Sequence, residues 1–246
     1  MIRTPDPASW EAQAKTMIRR RYAQLAAADS FHGDARKKAL AAGMPAAWFD
    51  KLPPRAAGTF SGCGWPAGRL PERHIHTVVD LGCGGGLETR FMAERLPSDA
   101  RIVAVDLTPE QLIRTRQTVA GISGAAVHTL AADMERLPLA GAITDAVVAN
   151  AAFNLATDKA AAFAEAARIL RPGGWLIAAD LVRTAPLPAE ILADPMAMAA
   201  SLGGVIEEPA LRALMQAAGF REIEISGHRP FGPVHAVDII ARSAAA

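Results

Sequence analysis

Val78-Val79-Asp80-Leu81-Gly82-Cys83-Gly84-Gly85-Gly86, followed by a helical run from Leu87 to Leu96, joins a short apolar segment to a cluster of glycines and then to a helix. An apolar run of this length, bounded by turn residues, reads as a buried strand. The glycines leave bare backbone at the strand's carboxyl end, where open α/β sheets receive their ligands. A nucleotide-like ligand is therefore expected against this turn. A phosphate loop requires GxxxxGK[ST], and neither the lysine nor the hydroxyl residue is in place. A dinucleotide turn counted from Gly82 and Gly84 requires a third glycine where Leu87 stands, which weakens that reading without removing it.

Outward from the turn, short apolar runs at residues 102–106, 126–130, 146–149 and 175–180 alternate with helical patterns. Nearly continuous apolar strands separated by helices mean a parallel sheet covered on both faces. Two further strands are read near 222–226 and 236–241. The order predicts an α/β fold, a Rossmann-like, mostly parallel sheet of about seven strands with helices on both faces. Thr108 before Pro109, with Gln111 three residues on, marks one helix start, and Gly121 closes that helix. Phe163, Ala166, Ala167 and Leu170 place an apolar stripe on the next helix, which ends at Arg171-Pro172-Gly173-Gly174. A last helix carries Leu211, Leu214, Met215 and Ala218 and stops at Gly219.

Ahead of the sheet, Ala14, Met17, Ile18 and Leu25 recur at helical spacing from Ser9 to Ala28, with Arg19, Arg20 and Arg21 near the wet side. Residues 34–50 read as one or two short helices, and the proline- and glycine-rich stretch 53–71 as loop. Residues 1–72 are thus expected to form an N-terminal helical lid and loop segment, and 73–246 the ligand-binding domain.

The 246 residues carry a formal net charge of +1, with 51% hydrophobic and 21% charged residues. Such a chain folds, and it presents no basic field to draw it onto nucleic acid or an anionic membrane. A small molecule is the expected partner. Cys63 and Cys83 cannot build a disulfide framework, and no His/Cys cluster has zinc spacing, so no metal is expected. The first residues lack the apolar core of a signal peptide, and no apolar run reaches the ~18 residues of a membrane span. A cytoplasmic location is expected.

The pattern acid-x-G-x-G-x-G, here Asp80 to Gly86, resembles the first motif of the class I S-adenosylmethionine-dependent methyltransferases. The resemblance continues in Asp106, which ends the next strand about 20 residues past the glycines, where an acid can accept both ribose hydroxyls. Ala132-Asp133-Met134 follows the third strand, and Asn150 ends the fourth. The resemblance implies S-adenosyl-L-methionine as cofactor, contacted by Asp80, Gly82, Cys83, Gly84, Asp106, Leu107, Asp133, Met134 and Asn150. Leu107 and Met134 would flank the adenine, and Asp133 would accept from its amino group. Taken singly, each acid has an ordinary alternative: Asp80 as a turn or capping residue, Asp106 as a cap for the helix at Pro109, Asp133 as a loop residue. The implied activity is methyl transfer to a small-molecule acceptor. The alternatives are a non-methylating use of the same cofactor, cyclisation or elimination, since fold does not fix reaction type, and an arsenite-type methyltransferase relative.

Within that superfamily, residues 78–182 look most like the branch that holds the arsenite methyltransferases and the quinone-type C-methyltransferases. Asp106 to Glu110, Asn150 to Leu155 with Asp158-Lys159, and Arg168 to Gly174 leading to Asp180 carry the likeness. Tyr22, Ser61-Gly62-Cys63-Gly64 and Ser201-Leu202-Gly203-Gly204 extend it. Arsenite methylation in that family relies on soft thiolates. This chain keeps Cys63 but has Ala151 and Ser201 where two further cysteines stand in the family. The resemblance therefore implies an organic acceptor. No motif announces a general base; His32, Asn154 and His228 are candidates, with Tyr22, Arg183 and His235 in the expected acceptor region.

Overall fold

The computed structural model describes residues 7–27, 35–58, 60–71 and 74–244. Its sheet contains β1 (Thr77–Leu81), β2 (Arg101–Asp106), β3 (Ala126–Ala131), β4 (Thr144–Asn150), β5 (Leu170–Arg183), β6 (Ile206–Glu207), β7 (Phe220–Phe231) and β8 (Val234–Ser243). The strand order is β3-β2-β1-β4-β5-β8-β7, with β6 beside the end of β5. Strands β1 to β5 run parallel, whereas β8 is antiparallel to both β5 and β7. The sequence predicts about seven strands, and the eighth, β6, is a two-residue pairing with Val182 and Arg183, too short to show any apolar period.

Both faces of the central strands β1 and β4 are buried, which explains their unbroken apolar character, while the edge strand β3 stays partly exposed. Val79, Leu81 and Val147 pack on one face with Phe163 and Ile169 of α7 (Lys159–Ile169) and Met215 of α10 (Glu208–Ala217). Val78, Ile102 and Val148 pack on the other with Phe91 and Met92 of α5 (Leu87–Arg95). Trp65 and Trp48 close that second core edge-on and tilted around Phe91. Because β1 pairs with β2 on one side and β4 on the other, the chain reverses its winding between them. That switch point opens a crevice at the carboxyl ends of the strands.

A long helix, α1 (Pro7–Ala27), crosses this end and packs on α6 (Pro109–Thr118) and on α9 (Pro195–Ala199). Ala14 and Ile18 are buried there with Met198, Ala199, Leu107 and Leu155. Leu25, expected on the same stripe, is 40% exposed. The i+4 row from Ile18 passes through Tyr22 to Ala26 instead, and Leu25 falls one position outside it.

Elsewhere the helical boundaries differ in detail from the sequence pattern. Residues 35–49 hold two short helices, α2 (Ala35–Ala41) and α3 (Ala46–Phe49), and the stretch 53–71 is not all loop: it holds α4 (Pro54–Ala57) and a 3-10 turn at Pro66–Arg69, each begun by a proline whose fixed φ suits a first turn. Leu170 does not belong to the helical stripe but starts β5. The Thr108 side chain makes no capping bond. Residues 186–205 contain α8 (Ala189–Ala193) and α9, short helices with little periodicity of their own. β7 is twelve residues long, and its register shifts between Arg221 and Glu224 and between Ser226 and Arg229. Those irregularities break the period of two, so only its middle is visible in sequence. Among the described residues, no helix is long and apolar enough to cross a membrane.

Candidate active site

The turn after β1 is pinned to its neighbour by Gly82 and Cys83, whose N–H groups both donate to the Val105 carbonyl (2.9 and 3.0 Å). Gly82 has φ +72°, and a Cβ there would sit 2.7 Å from that of Ala152. Gly84 has φ +51°, and a Cβ there would meet nothing within 4 Å. The first glycine is thus needed for packing, while the second faces an open cleft that a ligand can fill.

Asp106 sits at the end of β2 beside this turn. One carboxylate oxygen accepts the Gly84 N–H (2.9 Å) and the other the Thr108 N–H (2.8 Å). Burial pushes its pKa up, and the two N–H donors counter that rise. The carboxylate lines a cavity with Gly82, Gly84, Leu107, Met134 and Asn150. Lys15, Ile18 and Tyr22 of α1 form the roof. A smaller lobe shares Ser61, Gly82, Gly84 and Asn150 with this cavity and continues to Asp80 and Glu88.

Asp133, in the loop after β3, accepts the Glu135 N–H through Oδ1 (3.0 Å) and faces the Lys15 ammonium through Oδ2 (2.8 Å). Lys15 also meets Glu135 (2.6 Å) and Glu11 (2.7 Å). Burial alone lowers the Lys15 pKa, but the hydrogen bonds it donates to Asp133, Glu11 and Glu135 outweigh that and hold the ammonium charged. Glu135 in turn accepts from Thr157 N (2.6 Å), Thr157 Oγ1 (2.8 Å) and Asp158 N (3.1 Å), tying the roof to the loop before α7. The pattern Glu11-Lys15 is readable as a helical pair, but its landing on Asp133 depends on tertiary placement and was not visible in sequence.

Asn150 performs a task that its place in the motif does not announce. Its Oδ1 accepts from Cys63 N (2.9 Å) and Gly64 N (3.3 Å), and its Nδ2 donates to Gly64 O (2.8 Å). The amide therefore clamps the 61–64 loop over β4 while still facing both lobes. Arg229 secures the same loop from the sheet, donating to Cys63 O (3.4 Å) and pairing with Asp238. A Cβ on Gly62 would lie 2.3 Å from Asn150 Nδ2. Gly62→Ala is expected to push the clamp aside and cost about 1–3 kcal/mol, the usual range for overpacking. Urea unfolding measures this, and a midpoint equal to wild type would refute the clamp.

Cys83 lines the smaller lobe, but its sulfur turns toward Thr115 Oγ1 of α6 (3.5 Å), and burial pushes its thiol pKa up. Cys63 lies in an apolar patch with Ala179, Leu181 and Val205, against which Ala151 and Leu202 pack. Burial pushes its thiol well up too. Ala151 (φ 53°) and Ser201 (φ 66°) both hold left-handed backbone that non-glycine residues seldom adopt.

The candidate bases divide. His32 lies outside the described residues. Asn154 is buried below the cavity wall, its backbone N–H on Asp180 Oδ2 (3.2 Å) and its O packed against Gly204, where it supports the loop carrying Ser201. His228 pairs with Glu208 on the surface (2.7 Å), because the bulged β7 turns it toward α10, so it is not a residue of the cleft. Arg183 lies near Glu207 (3.7 Å), and His235 sits opposite Val182 on β8; neither lines the cavity. Tyr22 does line it, with its hydroxyl on Ser201. Among the described residues no cluster could hold a metal ion.

A parallel sheet switched at β1 and β4, closed by an antiparallel hairpin, with a glycine turn and acids ending successive strands, defines the class I S-adenosylmethionine-dependent methyltransferases. Residues 79–178 match the family described as methyltransferase domain. An arsenite methyltransferase of Halobacterium salinarum is 33% identical over 165 residues, which make up 67% of this chain and 42% of that protein. Another arsenite methyltransferase, of Aquipseudomonas alcaligenes, is 29% identical over 203 residues, 77% of this chain and 57% of that one. The crystal structure of an arsenic(III) S-adenosylmethionine methyltransferase from Chlamydomonas reinhardtii superposes with a TM-score of 0.60 at 25% identity, covering 80% of this chain and 72% of its own. The chain spans about half the length of the curated relatives it matches. Residues 79–178 are a methyltransferase domain of the class I S-adenosylmethionine-dependent type, related to that of the arsenite methyltransferases, with S-adenosyl-L-methionine as cofactor.

Proposed function

We propose that this protein transfers a methyl group from S-adenosyl-L-methionine to an organic small molecule. The observation that carries the reading is one cavity that gathers Asp106, Asp133, Leu107 and Met134 at the open side of Gly84. A diol-gripping carboxylate, an acceptor for an exocyclic amine and two apolar walls suit the sugar and base of that cofactor. In this reading residues 1–72 supply the lid and the loop clamped by Asn150, and residues 73–246 bind the cofactor.

The bound cofactor supplies an electrophilic methyl group on a sulfonium. The chain's own residues then align and enclose. Asp106 fixes the sugar, α1 closes the roof through Lys15 and excludes water, and Tyr22 with Ala151 borders the space left for an acceptor. With no described histidine on the cavity wall, the acceptor brings its own nucleophilicity or is activated by position alone.

An organic acceptor fits better than arsenite. Cys63 lines neither lobe and is held protonated by burial, and Ala151, which does line the cavity, packs beside it with Leu202. Incubation with cofactor, thiol and either arsenite or a panel of phenols, amines and carbon acids, followed by mass spectrometry, tests this. S-adenosylhomocysteine formed with an organic acceptor and no methylated arsenic is the expected result. Methylated arsenic defeats the acceptor assignment, and methylthioadenosine as the coproduct defeats methyl transfer itself.

The lid makes a separate prediction. Lys15→Met removes the tie between α1 and Asp133, a charge-assisted contact of about 1 kcal/mol net at this exposure. Release of S-adenosylhomocysteine, followed by stopped-flow competition, should quicken by about fivefold. An unchanged release rate excludes α1 as the gate.

A further inference from the structure

We propose that the Tyr22 hydroxyl donates a hydrogen bond to the methyl acceptor, and that the acceptor therefore reacts as an oxyanion, a phenolate or an enolate, and not as an amine; this rests on the methyl-transfer reading above. Tyr22 enters the cavity from the roof helix, one turn after Ile18, opposite Ala151 and Leu155. Its backbone is held by Gln111, whose Nε2 donates to Tyr22 O (2.9 Å), and its ring packs among Ile18, Met198, Leu107 and Leu155. The phenol feels both Asp106, at the end of β2, and Asp180, in β5. It therefore lies over the strands between them, β1 and β4, at the switch point where the cavity opens.

The hydrogen bonding of this phenol selects its partner. Burial pushes its pKa up and the charges of Asp106 and Asp180 add to the rise, while the Ser201 hydroxyl and Arg21 counter it, so the group is a proton donor and not a base. Ser201 acts as a donor toward the phenolic oxygen, and among the described residues no acceptor takes the phenol's own proton. That proton is left for the cavity. An amine attacks through its single lone pair, and a donor placed on that pair blocks the attack. An oxyanion has three pairs, so one accepts from Tyr22 while another attacks, and in an enolate the oxygen accepts while the conjugated carbon attacks. Asp106 and Asp180 oppose an anion here, Lys159 offsets Asp180, and the sulfonium of the bound cofactor supplies the remaining positive charge. The acceptor gives its proton to solvent before the roof closes. Its electron pair then forms the bond to the methyl carbon, the bond from sulfur to methyl breaks, and that pair stays on sulfur in S-adenosylhomocysteine. Tyr22 keeps its proton throughout.

Sinefungin, which carries an ammonium where the cofactor has its sulfonium and transfers nothing, allows binding to be read without turnover. Titrated into the wild-type sinefungin complex, 4-nitrophenol should bind as its coloured phenolate, with the isosteric 4-nitroaniline weaker by about tenfold or more. This comparison needs no variant to fold. Tyr22→Phe should weaken the phenolate by about tenfold and leave sinefungin, read by calorimetry, within about twofold. In turnover mixtures, mass spectrometry should place the new methyl group on oxygen for a phenol and on carbon for an enolised 1,3-diketone, which separates the two kinds of oxyanion. A nitroaniline as tight as the phenolate, no phenolate binding to wild type, equal phenolate binding in Tyr22→Phe, or methylation on nitrogen each overturns the proposal. Failure of wild-type protein to bind sinefungin instead overturns the cofactor reading.

Discussion

Asp106→Asn is expected to lower affinity for S-adenosylhomocysteine by about two to four orders of magnitude, the value of two charge-assisted hydrogen bonds at about 1.5–3 kcal/mol each. Each carboxylate oxygen already accepts one backbone N–H, from Gly84 or Thr108. An ionised carboxylate has about four acceptor sites; with the Thr108 hydroxyl also bonded to it, one stays free for a sugar hydroxyl, and rotation of the Thr108 hydroxyl releases a second. Asparagine keeps the volume but must turn its NH2 toward one of those backbone donors. The change therefore removes the charge and also sets donor against donor at the glycine turn. Titration calorimetry reads the loss directly, with circular dichroism confirming the fold. Affinity within fivefold of wild type would show that the sugar is held elsewhere and would remove the basis for the whole site.

The parts legible in the sequence were those written locally. Val78 to Gly86 combines a buried strand and left-handed glycines in nine residues and leads straight into a helix at Leu87, and the structure keeps that order. Asp106, Asp133 and Asn150 each end a strand or follow one, so strand reading alone brings them to one edge of the sheet. The rest depended on which surfaces meet. Nothing near Lys15 announces that its ammonium meets Asp133, more than a hundred residues further along the chain. Glu88 looks like an ordinary acid in the first turn of a helix, favoured there by the helix dipole; its burial appears only once residues 60–67 fold over it. Asn150 lines the cavity as the motif implies, yet most of its hydrogen bonding goes to a loop 86 and 87 residues earlier in the chain. His228 illustrates the opposite failure, a residue of reactive type carried off to the surface by strand bulges that no apolar period reveals. The resemblance to arsenite methyltransferases placed Cys63 and Ala151 together from motif order, and the structure packs them in one patch, with Leu202 beside them.

Asp80→Asn should change how stability depends on pH, with the variant gaining on wild type by about 2–3 kcal/mol between about pH 5 and pH 8. Burial, only partly offset by the Thr89 hydroxyl and reinforced by the charge of Asp106, raises the Asp80 pKa from 3.8 to about 7. Between those two values the folded protein holds a proton that the unfolded chain has released. Raising pH through that window therefore favours unfolding, by up to about 1.4 kcal/mol per pH unit, and above it both states are ionised and the effect is complete. Asparagine is neutral throughout, and its Oδ1 can still accept from Thr89. Urea unfolding of the ligand-free proteins across this range gives the difference between the two curves, in which groups far from Asp80 cancel, while Glu88, whose pKa the Asp80 charge raises, adds to the difference in the same direction. A constant difference would mean that Asp80 ionises as it does in water. Saturating S-adenosylhomocysteine supplies the second half of the argument, because an ammonium beside Asp80 favours its charged form. The ligand should then bind wild type more tightly as pH rises through the window, and this gain should shrink in Asp80→Asn.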